Sequence, residues 1–74
     1  MTPDPECANL VGTLTDRERD VLIFVSKGET RDRTAKLLGI GRTTVESHIK
    51  RIHAKLDVET TIESAVIAAK AGIV

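Results

Sequence analysis

Seventy-four residues make one small domain, a size that buries only about 60% of its unfolded surface, and 11 Lys and Arg balance 11 Asp and Glu, so the chain carries no net charge. The single cysteine, Cys7, cannot close an internal disulfide, which excludes a secreted disulfide scaffold and makes a reducing cytoplasm the expected setting. No apolar run is long enough to cross a bilayer, and the acidic opening MTPDPE is unlike a signal or transit peptide, so no membrane partner is expected.

The zero balance hides an uneven distribution. Residues 1–26 sum to −3, residues 27–56 carry eight cations against three acids for +5, and the remainder from Asp57 sums to −2. A basic centre between acidic ends is the electrostatic footprint of a small DNA reader rather than of a uniformly neutral protein.

Residues 1–13, with Pro3, Pro5 and Gly12 and few periodic apolar positions, read as a flexible tail or linker, the candidate junction to an N-terminal regulatory domain. A first helix then opens on Thr15-Asp16-Arg17-Glu18. This is a capping box, in which the Thr15 hydroxyl accepts from the Glu18 amide and the Glu18 carboxylate accepts from the Thr15 amide. Val21, Leu22 and Val25 share a face with Leu14 just ahead, and Gly28 ends the helix. Its role is scaffold.

Thr30 caps a second helix over residues 31–38, with Ala35 and Leu38 inward and Leu37 at the margin. Thr34 stands where a larger aliphatic residue would fill the core, so the packing there is expected to be thin. Gly39 supplies the positive φ of a tight turn. The small Ala35 lets the next helix cross closely, and Val45 points back into the corner, so the three positions together mark a helix-turn-helix.

The third helix, residues 42–56, places Val45, Ile49, Ile52 and Leu56 at i, i+4, i+7 and i+11, an amphipathic stripe. Opposite lie Thr43, Glu46, Ser47 and Lys50, flanked by Arg42, Arg51 and Lys55. The major groove of DNA admits one helix, read from its first turns. Lys50 suits guanine O6 and N7, Glu46 suits cytosine N4, and Ser47 or Thr43 serves either. Arg42, Arg51 and Lys55 suit phosphates, which set register without reading sequence. An ion pair from Glu46 to Lys50 one turn on is the competing role for that carboxylate.

A second capping box, Thr60 to Glu63, opens a fourth helix over residues 61–71 that Gly72 stops. Ile62, Ala65, Val66 and Ala69 form one stripe, taken as core. Ser64, Ile67, Ala68 and Ala71 form a second, small and uncharged face, which predicts a homodimer through this helix.

With these positions in view, the sequence resembles the LuxR/NarL-type (GerE-like) DNA-binding domain of bacterial transcription regulators. The resemblance covers residues 14–74 and rests on Leu14-Thr15, Arg17-Glu18, Val21-Leu22, Gly28, Ala35, Leu38, Thr44-Val45, His48, Ile52, Lys55-Leu56 and Ala65. It implies an all-α, four-helix bundle-like domain with a central helix-turn-helix, acting on double-stranded DNA as a dimer, the third helix in the major groove and the fourth joining protomers. By position it implies base contacts at Thr43, Glu46, Ser47 and Lys50 and phosphate contacts at Thr30, Thr44 and Lys55. RNA polymerase is a further candidate partner.

The chain departs from the family pattern at Arg33-Thr34, in place of Glu-Ile, at Gly41, in place of the serine that caps the third helix, and at Thr61, in place of arginine. The rival readings are a σ-factor region 4-like module and a helix-turn-helix interaction domain that does not bind DNA. An enzyme is not expected, and neither a cofactor nor a metal site. His48 and His53 are five apart and point about 140° from each other around a helix, so they cannot share a metal.

Overall fold

The computed structural model describes residues 3–74. The chain forms five helices, α1 (Pro5–Gly12), α2 (Asp16–Ser26), α3 (Arg31–Leu38), α4 (Arg42–Leu56) and α5 (Thr61–Lys70), with no strand among the described residues. Helices α2 to α5 are the four that the sequence predicts.

Helix α1 is a correction within the flexible tail expected over residues 1–13, of which residues 1 and 2 lie outside the described residues. The carboxylate of Asp4 accepts from the amides of Glu6 and Cys7, Pro5 occupies the first helical position, and Glu6 adds negative charge to the first turn. Two turns of helix are marginal alone. This one persists because Cys7, Leu10 and Val11 lie on one side, with Val11 and the following Leu14 buried, and because it packs on α5. The Asp4 amide also donates to the Lys70 carbonyl at 2.7 Å, tying the start of α1 to the end of α5.

Helix α2 is the centre of the molecule, packed against both α4 and α5. Its capping box forms as the sequence predicts. Val21 and Leu22 are fully buried and meet the α4 stripe of Val45, Ile49, Ile52 and Leu56, all buried. Each such side chain contributes about 1.5–3 kcal/mol when removed from water.

The turn between α3 and α4 follows from Gly39 at φ 68. Its amide donates to the Lys36 carbonyl and that of Ile40 to the Ala35 carbonyl, the paired bonds that close a helix through a left-handed residue. Ala35 is buried under the crossing, as the small residue at that point requires.

Helix α5 corrects a second expectation. Ser64, Ala68 and Ala71 are buried and Ile67 is half-buried against the core, whereas Ile62 is 78% and Val66 47% exposed, with Ala69 exposed beside them. The stripe taken as the dimer face is thus the one packed within the protomer, and the stripe taken as core is largely exposed, with Ala65 half-buried. Small side chains let α5 approach α1 and α2 closely, and the Ser64 hydroxyl is satisfied by donating to the Thr61 carbonyl at 2.7 Å.

Thr34 is fully buried, and its hydroxyl has no hydrogen-bond partner among the described residues. A buried hydroxyl left unpaired costs about 1–3 kcal/mol. Thr34→Val, nearly the same shape without the hydroxyl, is therefore expected to raise the unfolding free energy by about 1 kcal/mol in urea denaturation, with an unchanged m-value.

Candidate nucleic-acid interface

The apolar stripe of α4 fixes which way its other side faces. Because Val45, Ile49, Ile52 and Leu56 are all directed into the core, Thr43, Thr44, Glu46, Ser47, Lys50 and Arg51 are exposed along one outward ridge. Gly41 is the N-cap and provides no side-chain hydrogen bond, so the first amides of α4 are left to solvent or to a ligand. At the other end Asp57 takes a left-handed conformation at φ 56, and the amide of Val58 closes on the His53 carbonyl at 3.0 Å. His48 and His53 are half-buried, and Nδ1 of the first and Nε2 of the second lack partners among the described residues.

The charged side chains are less alike than the sequence suggests. Among the described residues Thr43, Thr44, Ser47, Lys50 and Arg51 make no side-chain hydrogen bond or ion pair. Arg42 is engaged twice. Its Nε donates to the Glu46 carboxylate at 3.1 Å, and its Nη1 lies 3.3 Å from both oxygens of Asp32 in the first turn of α3. Glu46 thus pairs backward with Arg42 and not forward with Lys50. The guanidinium is held more firmly protonated than usual, first by the Glu46 hydrogen bond and then by Asp32. Beside it, Thr30, Arg31, Asp32 and Arg42 line an open concavity of about 350 Å³ where the starts of α3 and α4 converge. The Thr30 hydroxyl accepts from the Arg33 amide, which leaves its own proton available to a phosphate.

Lys55 departs furthest from the expected set. Its Nζ donates to Glu18 at 2.7 Å, and the Glu18 side chain is only 3% exposed while that of Lys55 is 35%. The same carboxylate oxygen accepts from the Thr15 amide. Burial pushes the Glu18 carboxyl upward, but the hydrogen bonds from Lys55 and Thr15 outweigh it and hold the group below the ordinary glutamate range. The expected phosphate ligand is therefore already paired with Glu18, although its side chain is one-third exposed. Sequence reading missed both this latch and Asp32. Glu18 carried a visible signal as the capping-box acid, but nothing local ties it to a residue 37 positions away.

A helix crossing a shorter one through a glycine turn, anchored by one face and presenting hydroxyls and cations on the other, defines a helix-turn-helix domain. Residues 12–68 match the family described as bacterial regulatory proteins, luxR family, and the chain belongs to it. It is similar to the uncharacterized response regulatory protein YgeK of Escherichia coli K12, 38% identical over 60 residues, which are 81% of this chain and 41% of that protein. It is also similar to the transcriptional regulatory protein TdiR of Thauera aromatica, 43% identical over 53 residues, 72% of this chain and 23% of the relative. With the nitrate/nitrite response regulator protein NarL of E. coli K12 the identity is 36% over 56 residues, 76% and 26% of the two chains. The match thus spans less than half the length of each of these relatives. Family membership decides between the LuxR and σ-factor readings that the sequence left open.

The Glu18 latch makes stability depend on acid. A carboxyl whose pKa is lower in the folded chain contributes stability above its unfolded value, about 4.3, and loses it as pH falls through the folded value. Urea denaturation between pH 7 and pH 3 is expected to show falling stability below about pH 5, with a smaller fall in Glu18→Gln. Lys55→Met leaves the carboxylate buried without its ammonium, and should cost about 2–3 kcal/mol at pH 7. That penalty shrinks in acid, where Glu18 can take up a proton.

Proposed function

We propose that this chain binds double-stranded DNA as the output domain of a bacterial transcription regulator, with α4 lying in the major groove. The observation that carries the reading is the ridge of Thr43, Ser47 and Lys50, exposed and unpaired among the described residues, on a helix whose opposite side is core. Together with Glu46 these residues meet base edges, Lys50 at guanine O6 and N7 and Glu46 at cytosine N4. Thr30, Thr44, Arg51 and Arg42, the last through its Nη2, meet phosphates. Lys55 is left out of this set because its charge is spent on Glu18.

Dimerisation on DNA is retained in the proposal but moves to the other side of α5. The interface consists of Ile62, Val66 and Ala69, since Ser64, Ala68 and Ala71 are already covered within one protomer. A regulatory domain is included in the proposal because relatives named response regulators are more than twice as long as the matched stretch, and RNA polymerase in the cytoplasm follows only from the role of a transcription regulator.

Selection of bound sequences from a random duplex pool tests the reading, and a palindromic product is the expected result. The binding constant should fall with salt on a logarithmic plot with a slope of about −0.9 per phosphate neutralised. Lys50→Ala should relax base preference at one position per half-site by roughly 1–3 kcal/mol. Affinity indifferent to salt would instead favour the interaction domain that does not bind DNA. Val66→Glu places a charge on the α5 ridge, and gel-shift titrations should then show single half-sites still bound and cooperativity between half-sites lost.

A further inference from the structure

Asp32 lies on α3, outside the set of residues that meets base edges, yet it holds the residue that holds one of them. Arg42 is the middle of a chain of three: Asp32 on its Nη1 at 3.3 Å to each oxygen, and Glu46 on its Nε at 3.1 Å. The guanidinium is rigid and planar, so fixing one edge against α3 fixes the direction in which its Nε meets Glu46. Glu46 is the sole acid on the outward ridge of α4, and a flexible carboxylate there must point one oxygen at a base while phosphates on both sides repel it.

We infer that Asp32 is a specificity-determining residue that touches no base: through Arg42 it orients Glu46, and so sets the preference for cytosine at the base pair that Glu46 reads. The inference rests on the reading of α4 as the groove helix. In free solution all three side chains are about half or more exposed, and such pairs contribute little. Inside a groove the water around them is displaced, the local dielectric falls, and the same hydrogen bonds hold Glu46 more firmly. Arg42 is in this account a positioning residue whose remaining Nη2 still reaches a phosphate. Each carboxylate also lowers the cost of the other, because Arg42 neutralises one charge of the pair before DNA arrives.

The test is selection from a random duplex pool, followed by titration of single-position variants of the selected site, for the wild type, Glu46→Gln, Asp32→Asn and Arg42→Lys. The wild type should favour cytosine at one position by roughly 5- to 150-fold, the range of one well-made base contact. Glu46→Gln should abolish that preference. Asp32→Asn keeps the shape and removes the charge, and should lower the discrimination at that same position by about threefold or more, the scale of coupling within one ion-pair network. Lysine carries its charge as a point on a flexible stem, without the planar fork that fixes the direction of Glu46, so Arg42→Lys should act likewise. In Glu46→Gln, adding Asp32→Asn should change nothing at that position. Circular dichroism and urea midpoints confirm that each variant is folded. If Asp32→Asn binds all sequences more tightly by one common factor and keeps the cytosine preference, Asp32 acts only through bulk charge and the inference is overturned. If the wild type selects no sequence at all, the groove reading falls first and takes the inference with it, a result separable from the previous one.

Discussion

The carboxylate of Glu18 joins the beginning of one helix to the end of another. It accepts from the Thr15 amide that opens α2 and from the Lys55 ammonium in the last turn of α4, so α2 and α4 share one hydrogen-bonded centre. Placing charges out of water is costly, and a fully buried pair often fails to recover that cost. Here the ammonium stays one-third exposed and one carboxylate oxygen accepts two hydrogen bonds, which limits the penalty. The apolar contacts of α4 set its depth in the molecule. The latch adds a directional restraint at its far end, where the apolar stripe finishes at Leu56.

The electrostatics of the reading face follow from which cations remain after internal pairing. Of the eight in residues 27–56, Arg33 faces Glu29, Arg42 faces Asp32 and Glu46, and Lys55 faces Glu18. Lys27, Arg31, Lys36, Lys50 and Arg51 have no ion-pair partner among the described residues. The positive field of the helix-turn-helix is thus carried by fewer side chains than composition suggests. Two of the three paired cations, Arg42 and Lys55, belong to α4, so the helix with the exposed polar ridge also carries most of the internal pairing.

Helices α2 to α5 were legible in the sequence because each carries its own punctuation. Threonine caps open α2, α3 and α5, left-handed residues end α2, α3 and α4, and the apolar spacing of α4 has one solution. Helix α1 was legible too, in Asp4-Pro5-Glu6 followed by apolar residues at 7, 10, 11 and 14, but two prolines read as irregular chain. Helix α5 was not legible in its orientation. Residues 62, 66 and 69 and residues 64, 68 and 71 have the same spacing, and hydrophobicity favours burying the larger set. The close packing of α5 on α1 and α2 buries the smaller set instead, with Ser64, Ala68 and Ala71 facing them. The contacts of Arg42 and Lys55 lay beyond reach for a different reason: they join residues 10 and 37 apart, and only the assembled helices bring them together.

The closeness of that packing has an outcome outside the protomer. The exposed Ile62 and Val66 are carried on the same helix as the fully buried Ala68, so a methyl group added at position 68 would push that helix, and its outer surface with it, away from α1 and α2. In the proposed dimer, the separation between the two copies of α4 would change with it, and half-sites one helical repeat apart would no longer be met in phase. The smallest side chains of the core would thus gauge the interval between half-sites in that proposed dimer.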